Sequence, residues 1–553
     1  MDGDEISVLI GGRAGDGVSS AGQVVAQMLA HMGYQVHMYF DYPSLIKGGH
    51  NFAIIRGAER QVGAVRESVD FILALNQETI ELHKKKLNPG GVIICNGDNA
   101  HHPGAVQVPI GSILNNEQAP AVMGNSAIIG AFLKVAGIDW DVAEEVFPEA
   151  VPKETDQNLR VARQAYDAAD LQATVKKLPG RRLPVMTGNE AIGIGLLEGG
   201  ITVYFAYPMS PTSNLMHFFA ANTDEFHIRV IQPEGEIAGV LNALGCSYAG
   251  ARAAIGTSGG GFCLMTEALG LAGIAELPLV IVLGQRAGPS TGLATYTAQS
   301  DLLFALNAGH GDFPRFIAAP GDTTEARNWS RIATVLAWKY QVPAIILSDK
   351  IICEGLYSTD PDLSVDCHAE PVMADPGVHP YMRYQVTGSG ISPLRFPPSA
   401  GDWIKVNSHV HDTDGTTAEE HWVAKAMADK RNIKVAGMRE EVEGLNPVEV
   451  TGNTNSDGAL LTWGSNKGAC DEVGKLLDLR VIRPIVVCPF PERSFANAMK
   501  GVRRFYSVET NETGQLARLV SQSGYRANGL VLKYDGRPFT IEELTARVRE
   551  VIS

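Results

Sequence analysis

Short apolar runs that read as buried strands alternate along this chain with segments whose apolar residues return at helical spacing. Turns rich in Gly, Pro and Asp separate them. Residues 5–11 (EISVLIG) predict a strand ending in a Gly-rich turn, and residues 19–33 (SSAGQVVAQMLAHMG) an amphipathic helix. Further strands are expected at 34–40, 69–75 and 91–96, with helices between, so residues 1–178 read as a βα-alternating domain. Pro and Gly bracket two Arg in KKLPGRRLP, a linker signal. A second α/β unit, 179–360, runs through ITVYFAYP, ARAAIGTSGGG, LPLVIVLG and VPAIILSD. Residues 361–452 are weakly patterned, with one charged helix around AEEHWVAKAMADKR, and so long an irregular stretch points to a functional arm or an interdomain wrap. Residues 453–553 return to alternating strand and helix. The expected class is multidomain α/β.

Composition narrows the function more than the fold. With 553 residues the chain is too long for one hydrophobic core. A net charge of -15 argues against nucleic acid as a partner, although acidity also serves solubility. LPLVIVLG is too short to span a bilayer, and the acidic MDGDEISVLI is unlike a signal peptide, so no membrane role is expected. The seven cysteines (Cys95, Cys246, Cys263, Cys353, Cys367, Cys470, Cys488) stand singly, without a CxxC. That argues against disulfides, structural zinc or a cysteine-bound cluster, and suits a reducing cytoplasm.

Several loops invite chemistry. Gly11-Gly12-Arg13-Ala14-Gly15-Asp16-Gly17 lies between a strand and a helix, where backbone N–H groups can meet phosphate, and Asp41 ends the next strand as a dinucleotide site would require. However, the third Gly of the fingerprint is Ser20, and a tight turn explains the loop as well. Gly256-Thr257-Ser258-Gly259-Gly260 fits GxSxG, with Asp301 and His310 following in hydrolase order but only nine residues apart. His409-x-His411-Asp412 suggests a metal but offers no third ligand at helical spacing.

The strongest constellation has four parts. These are Tyr207-Pro208-Met209-Ser210-Pro211-Thr212-Ser213, Gln232-Pro233-Glu234-Gly235-Glu236, Thr257-Ser258-Gly259, and Gln285-Arg286-Ala287-Gly288-Pro289-Ser290-Thr291-Gly292. Each follows an expected strand, where an open parallel sheet places its ligands. A hydroxyl, a carboxylate, small turn residues and an arginine are thereby brought to one crevice.

In this order, with GHGDFPR after them, these motifs resemble the pyrimidine-binding domain of 2-oxoacid:ferredoxin oxidoreductases. Trp463-Gly464-Ser465, Pro489-Phe490-Pro491, Val508-Glu509-Thr510-Asn511 and Asp535-Gly536-Arg537-Pro538-Phe539 are similar to the family's transketolase C-terminal-like domain. GGRAGDGVSSAG, Tyr42-Pro43-Ser44 and Lys47-Gly48-Gly49-His50 are similar to its Rossmann-like gamma domain, here fused ahead of the alpha part. The resemblance implies four regions: gamma domain 1–178, thiamine diphosphate pyrimidine domain 179–360, connecting arm 361–452 and C-terminal-like domain 453–553.

It also implies a division of labour. Thiamine diphosphate would lie between this chain and a smaller beta subunit that binds the diphosphate, Mg2+ and a [4Fe-4S] cluster. Glu234 matches the glutamate that bonds the aminopyrimidine ring, with Glu236 the fallback. Tyr207, Pro208, Met209, Thr257, Ser258 and Gly259 would line the cofactor site. Arg286 would hold the 2-oxoacid carboxylate, Ser210 and Thr291 would contact substrate, and Lys47 would approach the catalytic region or coenzyme A. Electrons would pass to ferredoxin and the acyl group to coenzyme A in an (αβ)2 assembly. The substrate implied is 2-oxoglutarate, with pyruvate or another 2-oxoacid as alternative. A non-catalytic dinucleotide-binding or assembly paralogue is a further reading. Two departures stand out: Ser210 replaces the family's usual Thr, and Leu293-Ala294-Thr295-Tyr296 lacks the basic residue that often follows LPT.

Overall fold

The structure is a computed structural model that describes residues 5–44, 49–363, 367, 370–399 and 401–553. Two compact units emerge. The first groups residues 1–187 with 354–362 and 539–547, and the second takes 188–353, 363–538 and 548–553.

The first unit is built on an eight-stranded sheet. Its order is Val106–Val108, Leu87–Asn96, Val69–Ala74, Glu5–Arg13, His50–Ala58, Gln35–Asp41, Leu356–Ser358 and Val185–Thr187. Glu5–Arg13 runs parallel to Val69–Ala74 but antiparallel to His50–Ala58, which in turn is antiparallel to Gln35–Asp41. The βα alternation expected over residues 1–178 therefore holds on one half of the sheet and gives way to an antiparallel ribbon on the other. His50–Ala58 (HNFAIIRGA) is the longest strand the sequence pattern does not show, because polar His, Asn and Arg break its apolar run. Buried Arg56 is tolerated there because Glu5 meets it at 2.8 Å. The linker KKLPGRRLP leads into the short strand Val185–Thr187 at the sheet edge.

The second unit carries two sheets. The larger one has the order Val486–Cys488, Phe316–Ala318, Pro343–Asp349, Leu279–Gln285, Ala253–Thr257, Val203–Ala206, Arg229–Ile231. All its pairings are parallel except that of Val486–Cys488. Strands buried on both faces are continuously apolar, which is why LPLVIVLG and VPAIILSD stand out in the sequence. From Val203–Ala206 the chain first builds outward to Arg229–Ile231, then returns to place Ala253–Thr257 on the other side. That reversal is a topological switch point, where the helices leave a crevice at the C-terminal strand ends.

The smaller sheet orders Val448–Gly452, Arg480–Pro484, Gly458–Leu461, Arg504–Glu509 and Gly529–Leu532. One apolar core, including Ile281, Leu347, Trp463 and Phe495, runs through both sheets. Between them Gln299 donates to the Trp463 carbonyl at 2.8 Å and accepts from Asn466 at 2.7 Å and from the Thr510 amide at 3.0 Å. The buried Glu509 carboxylate accepts the Leu516 and Ala517 amides at 2.8 and 3.0 Å. Thus Trp463, Glu509, Thr510 and Asn511 act as structural joints.

The charged helix of the arm spans His421–Glu443, well beyond residues 418–431. Its Lys430 meets Glu276, the residue that ends helix Gly259–Ala275, at 2.7 Å, and Lys434 reaches the same carboxylate. Burial by itself would raise the Glu276 carboxyl, but Lys434 and Lys430 outweigh it and hold it down at about 2.

Candidate functional site

Four loops meet at the switch point. Strand Val203–Ala206 delivers Tyr207–Ser210, and a tight turn follows in which the Thr212 hydroxyl donates to the Met209 carbonyl at 3.0 Å. Asn189, fully buried, donates to the Pro211 carbonyl at 2.9 Å and fixes this turn to helix Gly188–Glu198. Strand Arg229–Ile231 delivers Gln232–Gly235 and then helix Glu236–Tyr248. Ala253–Thr257 runs into helix Gly259–Ala275, and Leu279–Gln285 runs into the Arg286–Gly292 loop.

Two of these loops touch through expected site residues. Arg286 donates from Nη1 to the Ser210 carbonyl at 3.3 Å. Its Nε is buried and has no hydrogen-bond partner among the described residues, so the guanidinium keeps capacity for an anion. Thr291 lies in the exposed part of the loop. Gly292 sits at φ 51 where a Cβ would be 1.9 Å from the Ala287 carbonyl oxygen, so only glycine closes this turn.

The two carboxylates of QPEGE separate by burial. Glu234 is exposed at the mouth of the crevice, whereas Glu236 is 6% exposed. The Glu236 carboxylate and the Thr257 hydroxyl both press on Gly261, where an added Cβ would come within 2.7 and 2.3 Å of them. Thr257 and Ser258 are fully buried, and the Ser258 hydroxyl has no partner among the described residues. Beside them Tyr204, equally buried and unpartnered, aims its hydroxyl at Gly256, where a Cβ would be 1.9 Å from it. Asp301 packs its carboxylate on Gly259, and burial raises it to about 6. Tyr204 and Asn189 are contributors that sequence reasoning missed, because a Tyr inside an apolar strand and an Asn opening a helix look like ordinary packing and capping.

The other candidate loops resolve differently. Asp16 accepts the Arg13 amide at 2.7 Å, so the loop's own carboxylate closes this turn. The buried Ser258 hydroxyl has no partner among the described residues, and His310 is exposed, which removes the hydrolase reading. His411 is fully buried, stacked on Tyr384 with ring centroids 3.6 Å apart and within 3.2 Å of the Ile274 carbonyl. It is a structural residue rather than a ligand. Lys47 lies outside the described residues.

The crevice suits the pyrimidine end of thiamine diphosphate. It combines a carboxylate at the mouth, close-packed glycines and two buried hydroxyls without hydrogen-bond partners among the described residues. Nothing comparable is offered to a metal-bound diphosphate: no group of three or more His, Cys, Asp or Glu able to hold a metal ion occurs among the described residues. Nor is any described helix long and apolar enough to cross a membrane.

Residues 194–428 match the family described as pyruvate flavodoxin/ferredoxin oxidoreductase, thiamine diP-bdg. Residues 7–168 match pyruvate ferredoxin/flavodoxin oxidoreductase. The chain is 27% identical to the 2-oxoacid:ferredoxin oxidoreductase 2 alpha subunit of Aeropyrum pernix, over 99% of this chain and 98% of that protein. It is 26% identical to the 2-oxoglutarate oxidoreductase subunit KorA of Mycobacterium tuberculosis, over 100% of this chain and 92% of that one. Among solved structures, the 2-oxoglutarate:ferredoxin oxidoreductase of Magnetococcus marinus, with 2-oxoglutarate, coenzyme A and succinyl-CoA bound, superposes with a TM-score of 0.89 at 26% identity, covering 100% of both chains. With a thiamine-type crevice at its switch point and matches running from end to end, this chain belongs to the 2-oxoacid:ferredoxin oxidoreductase family as a subunit of the alpha type.

Proposed function

We propose that this chain forms the pyrimidine-binding half of the active site of a coenzyme A-acylating oxidoreductase that decarboxylates 2-oxoglutarate and passes electrons to ferredoxin. The observation that carries the reading is the convergence of Ser210, Glu234, Thr257–Gly259 and Arg286 on the switch point, with Arg286 tied to the Ser210 carbonyl at 3.3 Å. Thiamine diphosphate, when bound, supplies the carbanion chemistry. Glu234 bonds the pyrimidine ring and stabilises a proton on its ring nitrogen. Tyr207, Pro208, Met209, Thr257, Ser258 and Gly259 shape the cleft around that ring and keep water from it. Arg286 pairs with the 2-oxoacid carboxylate through its planar fork, and Ser210 and Thr291 bond substrate oxygens. Lys47 is assigned to the approach of coenzyme A.

The diphosphate, Mg2+ and a [4Fe-4S] cluster fall to a beta subunit in an (αβ)2 assembly, working in the cytoplasm. Exposed apolar side chains beside the crevice support that partnership. Ile237 and Leu241 on helix Glu236–Tyr248 and Leu264 on helix Gly259–Ala275 are each more than 40% exposed. The ligands held by the Magnetococcus marinus enzyme support the choice of 2-oxoglutarate, with pyruvate as the alternative. The four sequence regions (gamma domain, pyrimidine domain, arm and C-terminal-like domain) remain our reading of the chain's organisation. The chain reconstituted with its beta subunit should reduce a viologen dye fastest with 2-oxoglutarate in a panel of 2-oxoacids. A strong preference for a branched or aryl 2-oxoacid contradicts the assignment.

A further inference from the structure

At the opposite ends of the strands from the crevice lies a cavity of about 630 Å³ that the proposed chemistry does not use. Arg315, which immediately precedes strand Phe316–Ala318, forms one wall, and helix His421–Glu443 turns Arg431 and Arg439 into the same space. Asp312 is the acidic residue among the described lining, so three guanidinium groups face one carboxylate and two positive charges remain. In a chain of net charge -15 such a surplus in one cavity is not a by-product of overall composition.

Two of the arginines are held ready. Arg315 is buried, donates to the Ala305 carbonyl at 2.9 Å and lies 4.3 Å from the Phe313 ring centroid. Arg431 has its Nη1 shut off from solvent with no hydrogen-bond partner among the described residues. A guanidinium nitrogen that has lost water without gaining an acceptor is a cost the fold carries unless an anion completes it. The rest of the lining includes Phe313 and Phe490, which would take an aromatic or apolar body.

We propose that this cavity is a binding site for an organic phosphate with an aromatic or apolar body, separate from the thiamine crevice. A phosphate monoester carries about −1.5 to −2 charges at neutral pH, which matches the surplus, and it presents oxygens to several arginine forks. A monocarboxylate would leave one positive charge uncompensated.

Phenyl phosphate is the probe, titrated by calorimetry into the full-length chain. Phenyl sulfate is the singly charged control and phenol the neutral one. Phenyl phosphate should bind and both controls should bind much more weakly. Arg439 is exposed, so Arg439→Gln leaves the packing intact, and both it and Arg431→Gln should weaken binding by about tenfold or more. Arg286→Lys should leave phenyl phosphate binding at its parental strength. The proposal is overturned by an absence of binding to the parent, by parental affinity in both cavity variants, or by phenyl sulfate binding as tightly as phenyl phosphate.

Discussion

At the residue scale, the proposed function separates side chains that would face a ligand from side chains that hold the crevice in shape. Arg286 belongs to the first group. Lys at this position keeps the charge but not the fork, so Arg286→Lys should raise the KM for the 2-oxoacid by roughly tenfold or more while kcat changes less, as steady-state kinetics of the reconstituted enzyme will show. Asp301 belongs to the second. The folded chain holds its proton up to about pH 6, whereas the unfolded chain releases it near 3.8. Its contribution to stability is therefore present at low pH, is lost as the pH rises through that window, and stays flat above it. Asp301→Asn should remove this slope, so the stability difference between parent and variant should change by on the order of 3 kcal/mol across the window in urea unfolding. An identical pH dependence in both proteins would show that Asp301 is hydrated. The sequence singles out Ser210 and Arg286 because each follows an apolar strand, and the structure brings them into contact at 3.3 Å. Tyr204 is not visible that way, since only the fold reveals that its hydroxyl lacks a hydrogen-bond partner among the described residues. Glu234 and Glu236 have the same chemistry two residues apart; the family resemblance favours Glu234, and the structure adds that Glu234 is exposed and Glu236 buried.

At the element scale, the long arm helix is fastened by charge at the C-terminus of helix Gly259–Ala275, the helix whose opposite end forms part of the crevice. Arg383 adds a bond to the Glu276 carbonyl at 2.7 Å, and Tyr384 one to the Ala275 carbonyl at 3.2 Å. Helix C-terminal carbonyls attract cations, which offsets part of the surplus positive charge of Lys430, Lys434 and Arg383. Glu276→Gln would leave two lysines buried without a counter-ion and should destabilise the chain by about 3–5 kcal/mol in chemical unfolding. A loss under about 1 kcal/mol would mean that the lysines simply move out to water. The central parallel strands of the second unit are legible because burial on both faces makes them uniformly apolar, whereas the edge strand Arg229–Ile231 is partly exposed and leaves no such run. His50–Ala58 is not legible either, because Arg56 is compensated by Glu5, more than forty residues away, and no local pattern records that pairing. The arm helix was seen short of its true end for a related reason. Its buried residues include Lys430 and Lys434, which read as solvent-facing in a pattern of apolar positions.

At the scale of the whole molecule, the proposed function gives the chain one half of a cofactor site. The crevice brings a carboxylate and two buried hydroxyls to the switch point. The isolated chain should accordingly bind thiamine diphosphate poorly, and tight stoichiometric binding in calorimetry without a partner would contradict the shared site. The motifs are legible in the sequence because each sits just after a strand of the parallel sheet. They could not reveal that residues 539–547 group with the first unit, because association between distant segments leaves no periodicity. The most direct test of the account uses the complex with the beta subunit and follows exchange of the C2 proton of bound thiamine diphosphate into deuterated water by quenched-flow NMR. Glu234→Gln, which can still bond the ring but cannot carry the charge, should slow exchange by roughly 10²–10⁴-fold with cofactor docking largely kept. Slow exchange in Glu236→Gln alone would move the role to the buried carboxylate, and parental exchange in both variants would contradict the thiamine reading of this crevice.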